Sequence, residues 1–403
     1  MTSAEVRVLQ PSPWLSVWLS PRKTIERIVA TNPRRHVLLL AGLGAMGTVI
    51  AVLIGRGAAT ELMDWGGLAS LAIAGLVLGV VGLYINGLAY KWSGRILGGR
   101  ATYADVRAAF AWAAMPNIIG LAICLVVLTG LKLAGTPKPT SGQLIAALAV
   151  IAVVLWLWSW VAAILMLGRV HGFGFWRAIA SFALGALFVW LFAVSFRTFV
   201  FHPFNIPTRG LQPTLLVGDY FFVSKVSYGY SHYSLPFSPR LFSGRIFGSE
   251  PERGDIVVFR LPKDDSVDYI FRVIGLPGDR VQMINGHLHI NGEPVKRERI
   301  EDFIDTDDSQ PRRVKRWRET LPNGVSYSTL DLIDNGPYDN TRVYDVPPGQ
   351  YFVMGDNRDN SNDSRAGVGT VPFENLVGRA QIIFFSTDWT KRVRFERLGS
   401  VVR

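Results

Sequence analysis

Between Val37 and Phe196 lie 160 residues with only 12 charged side chains. A soluble domain carries about 25% charged residues, so a stretch this long and this apolar needs a bilayer. Crossing a hydrocarbon core takes roughly 20 apolar residues as a helix. Five runs meet or approach that length: Val37 to Gly55, Leu68 to Tyr90, Ala108 to Leu131, Leu144 to Leu167 and Ala178 to Phe196. Pro116 falls inside the third and predicts a kink there, tolerable where neighbouring helices satisfy the freed carbonyl.

The net charge of +11 does not point to nucleic acid. Residues 1 to 200 hold 16 Lys/Arg and 5 Asp/Glu, whereas residues 201 to 403 hold 26 of each. The excess lies wholly in the membrane half, where topology explains it. Arg7, Arg22, Lys23, Arg27, Arg34 and Arg35 precede the first apolar run; Lys91, Arg95, Arg100 and Arg107 follow the second, and Arg169 and Arg177 the fourth. With five crossings these share one side, against Arg56, Lys132, Lys138 and Arg197 on the other. The positive-inside rule then predicts a cytoplasmic N-terminus and an extracytoplasmic segment after Phe196. Met1 to Arg35 is polar and basic, without the early apolar core of a cleavable signal peptide, so the first run is expected to remain as an anchor. The single cysteine, Cys124, excludes an intrachain disulfide.

After Phe196 the texture changes to short β-branched and aromatic runs between turn signals, which predicts a mainly-β domain. Asn285-Gly286 and Asn291-Gly292 read as tight hairpin turns. Ile300 to Tyr338 is polar, lacks a clear period and contains the basic run Arg312 to Arg318, so it reads as a solvated loop or hairpin. The predicted organisation is a cytoplasmic segment 1–36, a five-helix membrane domain 37–196 and a β domain 197–403. Asp219 to Phe247 is unusually aromatic for a segment rich in Gly, Ser and Pro, and is expected to present an apolar surface to the bilayer.

Four blocks stand in order through the β half: Phe196-Arg-Thr-Phe-Val-Phe-His-Pro-Phe-Asn-Ile-Pro207 running on to Asp219, Arg253-Gly-Asp-Ile-Val-Val-Phe-Arg260, Asp268-Tyr-Ile-Phe-Arg-Val-Ile-Gly-Leu-Pro-Gly-Asp279, and Gly355-Asp-Asn-Arg-Asp-Asn-Ser-Asn-Asp-Ser-Arg365 continuing to Arg379. Together they resemble the bacterial type I signal peptidases across residues 194 to 390. The resemblance implies a membrane-anchored serine endopeptidase of the bacterial inner membrane, acting on exported preproteins through a Ser/Lys dyad and needing no cofactor. Pro13-Trp-Leu-Ser-Val-Trp-Leu-Ser-Pro21 and the helices after it also resemble the Yip family of multispanning membrane proteins.

Laid on the peptidase motifs, Pro207 and Pro213-Thr214 frame the nucleophile loop. Gly210 then occupies the position of the nucleophilic Ser, and Phe271 that of the general-base Lys. Both reacting groups are missing. A Ser nucleophile needs a neighbour to take its proton, and Lys does so only where a dry site depresses its pKa. Arg272 cannot substitute, because a guanidinium does not deprotonate in proteins. Thr208 and the Gly210 N–H could still serve an oxyanion, and Leu211, Gln212 and Pro213 would line the substrate groove. Arg209 stands where the family usually has Gly. The resemblance further implies that Ser361 orients the missing Lys and that Asp363 and Arg365 form a supporting ion pair.

Other chemistry finds less support. Lys225 and Lys263 are the nearest basic residues to the loop, and both read as solvated surface lysines. His287 and His289 alternate along one strand, but a structural zinc site needs four ligands. Asp356 to Asp363 lacks the Gly and the terminal acid of a calcium loop. The reading with most support is a pseudopeptidase that binds exported preproteins or membrane partners without cutting. The alternative is an active signal peptidase with an unconventional catalytic arrangement.

Overall fold

The structure, a computed structural model, describes residues 12–55, 65–133, 142–306, 311–388 and 393–403. Arg7, Arg56 and Lys138, which enter the charge count above, lie outside the described residues. The chain divides into two compact units, Met1–Ala193 and Val194–Arg403.

The first unit is helical. It opens with α1 (Pro13–Leu19) and α2 (Pro21–Thr31), each started by a proline that needs no N–H partner in the first turn. The long elements are α3 (Val37–Gly55), α4 (Trp65–Ile96), α5 (Tyr103–Ala113), α6 (Met115–Leu133), α7 (Gly142–His171) and α8 (Phe175–Phe199). Thr102 and Asp105 cap α5 reciprocally. Among the described residues four helical spans are long and apolar enough to cross a membrane: Gly75–Ile96, Tyr103–Val127, Ala146–His171 and Phe175–Phe199. The described apolar part of α3, Val37–Ile50, is shorter.

Two of the expected runs change shape. The second helix extends well beyond Leu68 to Tyr90, because Lys91 to Ile96 continues its hydrogen bonding. The interruption expected at Pro116 falls at Ala114, between α5 and α6. Pro116 is the second residue of the new helix, where its missing N–H costs nothing.

Among its described residues the second unit holds three sheets. The largest runs in the order β1 (Phe201–Asn205), β2 (Asp219–Ser224), β14 (Leu376–Ser386), β3 (Ile256–Leu261), β4 (Asp264–Gly275), β12 (Gln350–Met354) and β13 (Val371–Pro372). Its core gathers Ile206, Leu211, Leu215, Phe221, Val257, Phe259, Phe271, Val273, Val353 and Leu376. A four-stranded sheet orders β11 (Tyr344–Asp345), β5 (Arg280–Ile284), β6 (His287–Ile290) and β7 (Glu293–Pro294). Both expected hairpin turns form here: Asn285 and Gly286 take φ of 48° and 72°, and Asn291 and Gly292 take 56° and 88°, the left-handed pair that a tight hairpin requires.

Of the two readings of Ile300 to Tyr338, solvated loop or hairpin, the third sheet takes the second and adds a strand to it. It pairs β8 (Lys296–Asp305), β9 (Arg312–Thr320) and β10 (Ser326–Asp331) in antiparallel register. Most of its charged side chains are exposed as expected, but Glu319, Tyr327 and Thr329 are buried. Its last strand is tied by backbone bonds to the polar block after β12, through Leu330 N to Asp356 O at 2.8 Å and Arg358 N to Leu330 O at 3.1 Å.

Candidate functional site

The loop between β1 and β2 meets the turn after β12 beside β4. Phe271 pairs with Val257 across β3 and β4 and is turned into the core, its ring 6.0 Å from that of Tyr269 and 6.4 Å from that of Phe259. A Cβ placed on Gly210 would lie 3.3 Å from Phe271 Cε1 and 3.3 Å from Ser361 Oγ. Gly210, Phe271 and Ser361, far apart in sequence, therefore share one small space.

The polar frame is dense. Ser361 Oγ lies 2.9 Å from Gly210 O and 2.7 Å from Asn357 O, so its single proton is donated to one carbonyl or the other. Asn357 donates its backbone N–H to Gly210 O at 3.1 Å and its Nδ2 to Arg209 O at 3.2 Å. A Cβ on Gly355 would stand 1.8 Å from Ser361 Oγ and 2.5 Å from Gly210 O. Only glycine lets the two loops approach this closely.

Around this contact sit three buried ion pairs. Arg365 donates to Asp363 through Nε at 3.0 Å and Nη2 at 2.8 Å, while Asp363 also accepts Gly355 N at 3.0 Å. Arg272 donates to both Asp356 oxygens, at 2.8 and 2.7 Å, and Thr214 donates to Asp356 from the loop between β1 and β2. Burial opposes the Arg272 charge, but Asp356 outweighs it and the guanidinium titrates above its ordinary range. Arg358 meets Glu319 of β9, with Tyr327 of β10 donating to the same carboxylate at 2.9 Å. The third pair is not visible in the sequence, since its buried acid comes from the segment read as a solvated loop or hairpin.

The remaining residues divide. Thr208 is exposed at the loop surface, Pro213 is half-buried, and Leu211 and Gln212 lie beneath the loop, 2% and 1% exposed. Arg209 reaches Asp305 at the end of β8, 3.7 Å away. Lys263 is exposed as expected. Lys225 is not: it is 5% exposed, its Nζ donates to Ser234 O at 2.8 Å, and burial pulls its pKa down to about 8. It follows β2 directly, where the chain turns inward rather than out to solvent. His287 is exposed and His289 half-buried. Among the described residues no cluster of three or more His, Cys, Asp or Glu could hold a metal ion.

The same division is found among known proteins. Residues 179–385 match the family "Signal peptidase, peptidase S26", and residues 15–196 match the Yip1 domain. Signal peptidase I of Rickettsia typhi is 49% identical over 211 residues, covering 50% of this chain and 79% of the relative. Signal peptidase I of Rickettsia prowazekii is 48% identical over 211 residues, with the same coverage. A crystal structure of a signal peptidase I from Enterococcus faecalis is 27% identical, with a TM-score of 0.20 over 32% of this chain and 97% of that one. With a mainly-β half matching over more than 200 residues at close to half identity, the chain belongs to the signal peptidase family, peptidase S26.

Proposed function

We propose that this chain is a non-cleaving member of its family, a receptor for exported preproteins or membrane partners held in the bacterial inner membrane. The observation that carries this reading is the space shared by Gly210, Phe271 and Ser361. A hydrolytic dyad needs an attacking oxygen and a proton acceptor within hydrogen-bond reach. Here the two facing side chains are a hydrogen atom and an apolar ring. The Ser361 hydroxyl is the nearest oxygen, and its proton is engaged by backbone carbonyls. Carbonyls do not act as a general base.

Binding can outlast chemistry, because the contacts that align a peptide are separate from the attacking atom. A photo-crosslinker at exposed Thr208 in the full-length chain is expected to capture a preprotein with small residues before its cleavage point, with no mature product released. Cleavage by the natural chain, in a preparation free of other signal peptidases, would instead establish the active reading.

The site is proposed to face the extracytoplasmic side, with residues 1–36 in the cytoplasm, the membrane domain spanning 37–196 and the peptidase-like domain from 197 to 403. A reporter fused after Arg403 is expected to behave as extracytoplasmic and one at Gly98 as cytoplasmic. The reverse pattern would overturn both the crossing number and the orientation.

Membrane contact by the β domain is the remaining part of the reading. Within Asp219 to Phe247, Phe221 and Tyr228 are core residues, whereas Tyr220, Phe237 and Phe247 are exposed. Tyr220 and half-buried Phe222 continue onto Phe384 of β14, whose ring lies 4.3 Å from that of Phe222. A soluble piece starting at Phe204 is expected to bind liposomes. A monodisperse piece that ignores them would show that these aromatics do not reach lipid.

A further inference from the structure

Four nitrogen-bearing side chains gather where α8 gives way to β1, at the same end of the large sheet as the start of the β3–β4 hairpin. Arg197, exposed in the last turn of α8, places Nη2 3.2 Å from His202 Nε2. A guanidinium can only donate, so the ring accepts at Nε2 and is neutral, its proton on Nδ1. Lys225 is joined to the same corner by its backbone N–H, which donates to Val200 O at 3.0 Å. Among the described residues, the Lys225 ammonium donates to one acceptor, Ser234 O. Arg260 lies 3.3 Å from Asp268, but its buried Nε makes no hydrogen bond there.

The charge does not balance. Among the described residues, the carboxylate of Asp268 favours the Lys225 charge, and the cations Arg260 and Arg197 oppose it. The electrostatics agree with the geometry. Burial and then Lys225, Arg197 and Arg260 push His202 down to about 4, so the ring adds a donor rather than a fourth charge. Burial raises the Asp268 pKa, while Arg260 and Lys225 pull it back. Three cations around one exposed acid leave an excess of about two positive charges, and Lys225, the buried member, has the most to gain from a counter-ion.

The position of the cluster selects the anion. α8 is one of the helices long and apolar enough to cross a membrane, and Arg197 lies in its final turn. Phe196, Phe199 and Val226 beside it are 43%, 43% and 55% exposed. Cations at the end of an apolar helix, flanked by exposed apolar side chains, fit the level of lipid head groups, with acyl chains against the apolar neighbours. We propose that Arg197, Lys225 and Arg260, with the His202 ring, form a binding site for the phosphate of an anionic phospholipid. The proposal is independent of whether the chain cleaves preproteins.

The test uses the full-length chain in nanodiscs of phosphatidylcholine with or without phosphatidylglycerol, and in detergent with added inorganic phosphate. Retained lipid is read by native mass spectrometry, and labelling of Lys225 by an amine-reactive reagent is read by peptide mass spectrometry. Phosphatidylglycerol is expected to be retained at least about tenfold over phosphatidylcholine and to slow Lys225 labelling, because a bound anion favours the ammonium form. Each head-group cation contributes about fivefold, so Arg197→Gln and Arg260→Gln should each weaken retention by about that factor. Arg197 is exposed, so its variant tests the site even if Arg260→Gln fails to fold. Equal retention of the two lipids, or undiminished phosphatidylglycerol retention by Arg197→Gln, would overturn the proposal. Protection of Lys225 by millimolar inorganic phosphate without any lipid preference would also overturn it, in favour of a soluble phosphate.

Discussion

Restoring both reacting groups, with Gly210→Ser and Phe271→Lys in one chain, is expected to produce preprotein cleavage at least about a thousandfold above the natural chain, whereas either change alone gives none. The factor follows from the way a nucleophile and its base act as a unit, so that losing one costs nearly as much as losing both. The geometry adds a second reason for coupling. A Cβ at residue 210 would meet Phe271 Cε1 at 3.3 Å, tighter than comfortable packing, so Gly210→Ser alone must push the ring aside. Replacing the ring by Lys removes that crowding and brings an amine into a site lined by Tyr269 and Phe259, apolar enough to depress its pKa. Gly210 has no positive φ, so its backbone accepts a serine without strain. Ser361 would then be free to turn its hydroxyl toward the new amine. Arg209, bridged to Asp305, is the remaining obstacle at the loop, and Arg209→Gly in the same chain is expected to raise the rate further. Product formation from a preprotein, measured for all four combinations at residues 210 and 271, decides the matter. Equal activity in a single variant and the double would show that the two positions do not form the dyad.

How far the sequence could be read depended on where each signal lived. Twenty-residue apolar runs have no soluble alternative, so the membrane helices were plain, but the second ran on to Ile96, the described part of the first was shorter than a full span, and the break near Pro116 fell at Ala114, by the tolerance of a helix start for proline. The hairpins at Asn285-Gly286 and Asn291-Gly292 were equally plain, because the required φ values leave few other residues. The grouping of Gly210, Phe271 and Ser361 was visible only through motif resemblance; no period or spacing brings a loop, a strand and a turn together. The sheet from Lys296 to Asp331 was hidden because its strands carry charge on both faces. Val314 and Glu319 of β9 are buried and Trp317 half-buried, at irregular intervals, and β8 is bulged between Ile300 and Phe303. Lys225 was misread for a related reason: residue type argues for solvent, while the chain path after β2 buries it.

The hidden sheet carries the second large effect. Glu319→Ala is expected to destabilise the β domain by about 3–5 kcal/mol, the usual cost of leaving a buried charge without its partner. Glu319 is 1% exposed and accepts from Arg358 Nη1 at 2.8 Å, from Arg358 Nη2 and from Tyr327 OH. Removing it strands a guanidinium inside the block that holds Ser361 against Gly210, since Arg358 Nε also donates to Gly355 O at 3.2 Å. The same segment supplies its own control. Lys315 and Asp334 form an ion pair with side chains 47% and 72% exposed, and exposed pairs contribute about 0–1 kcal/mol. Lys315→Ala should therefore lower the unfolding temperature by at most about 4 °C, whereas Glu319→Ala should lower it by about 10 °C or more, at roughly 2–4 °C per kcal/mol for a unit of this size. Replacing both members, Glu319→Met with Arg358→Met, should recover part of the loss, because the Arg358 guanidinium is then no longer left buried without its carboxylate. Thermal unfolding of the full-length protein in detergent, followed by the loss of β-sheet signal, separates the cases. Similar small shifts for Glu319→Ala and Lys315→Ala would mean that the sheet is an appendage, and that the block around Ser361 keeps its shape without it.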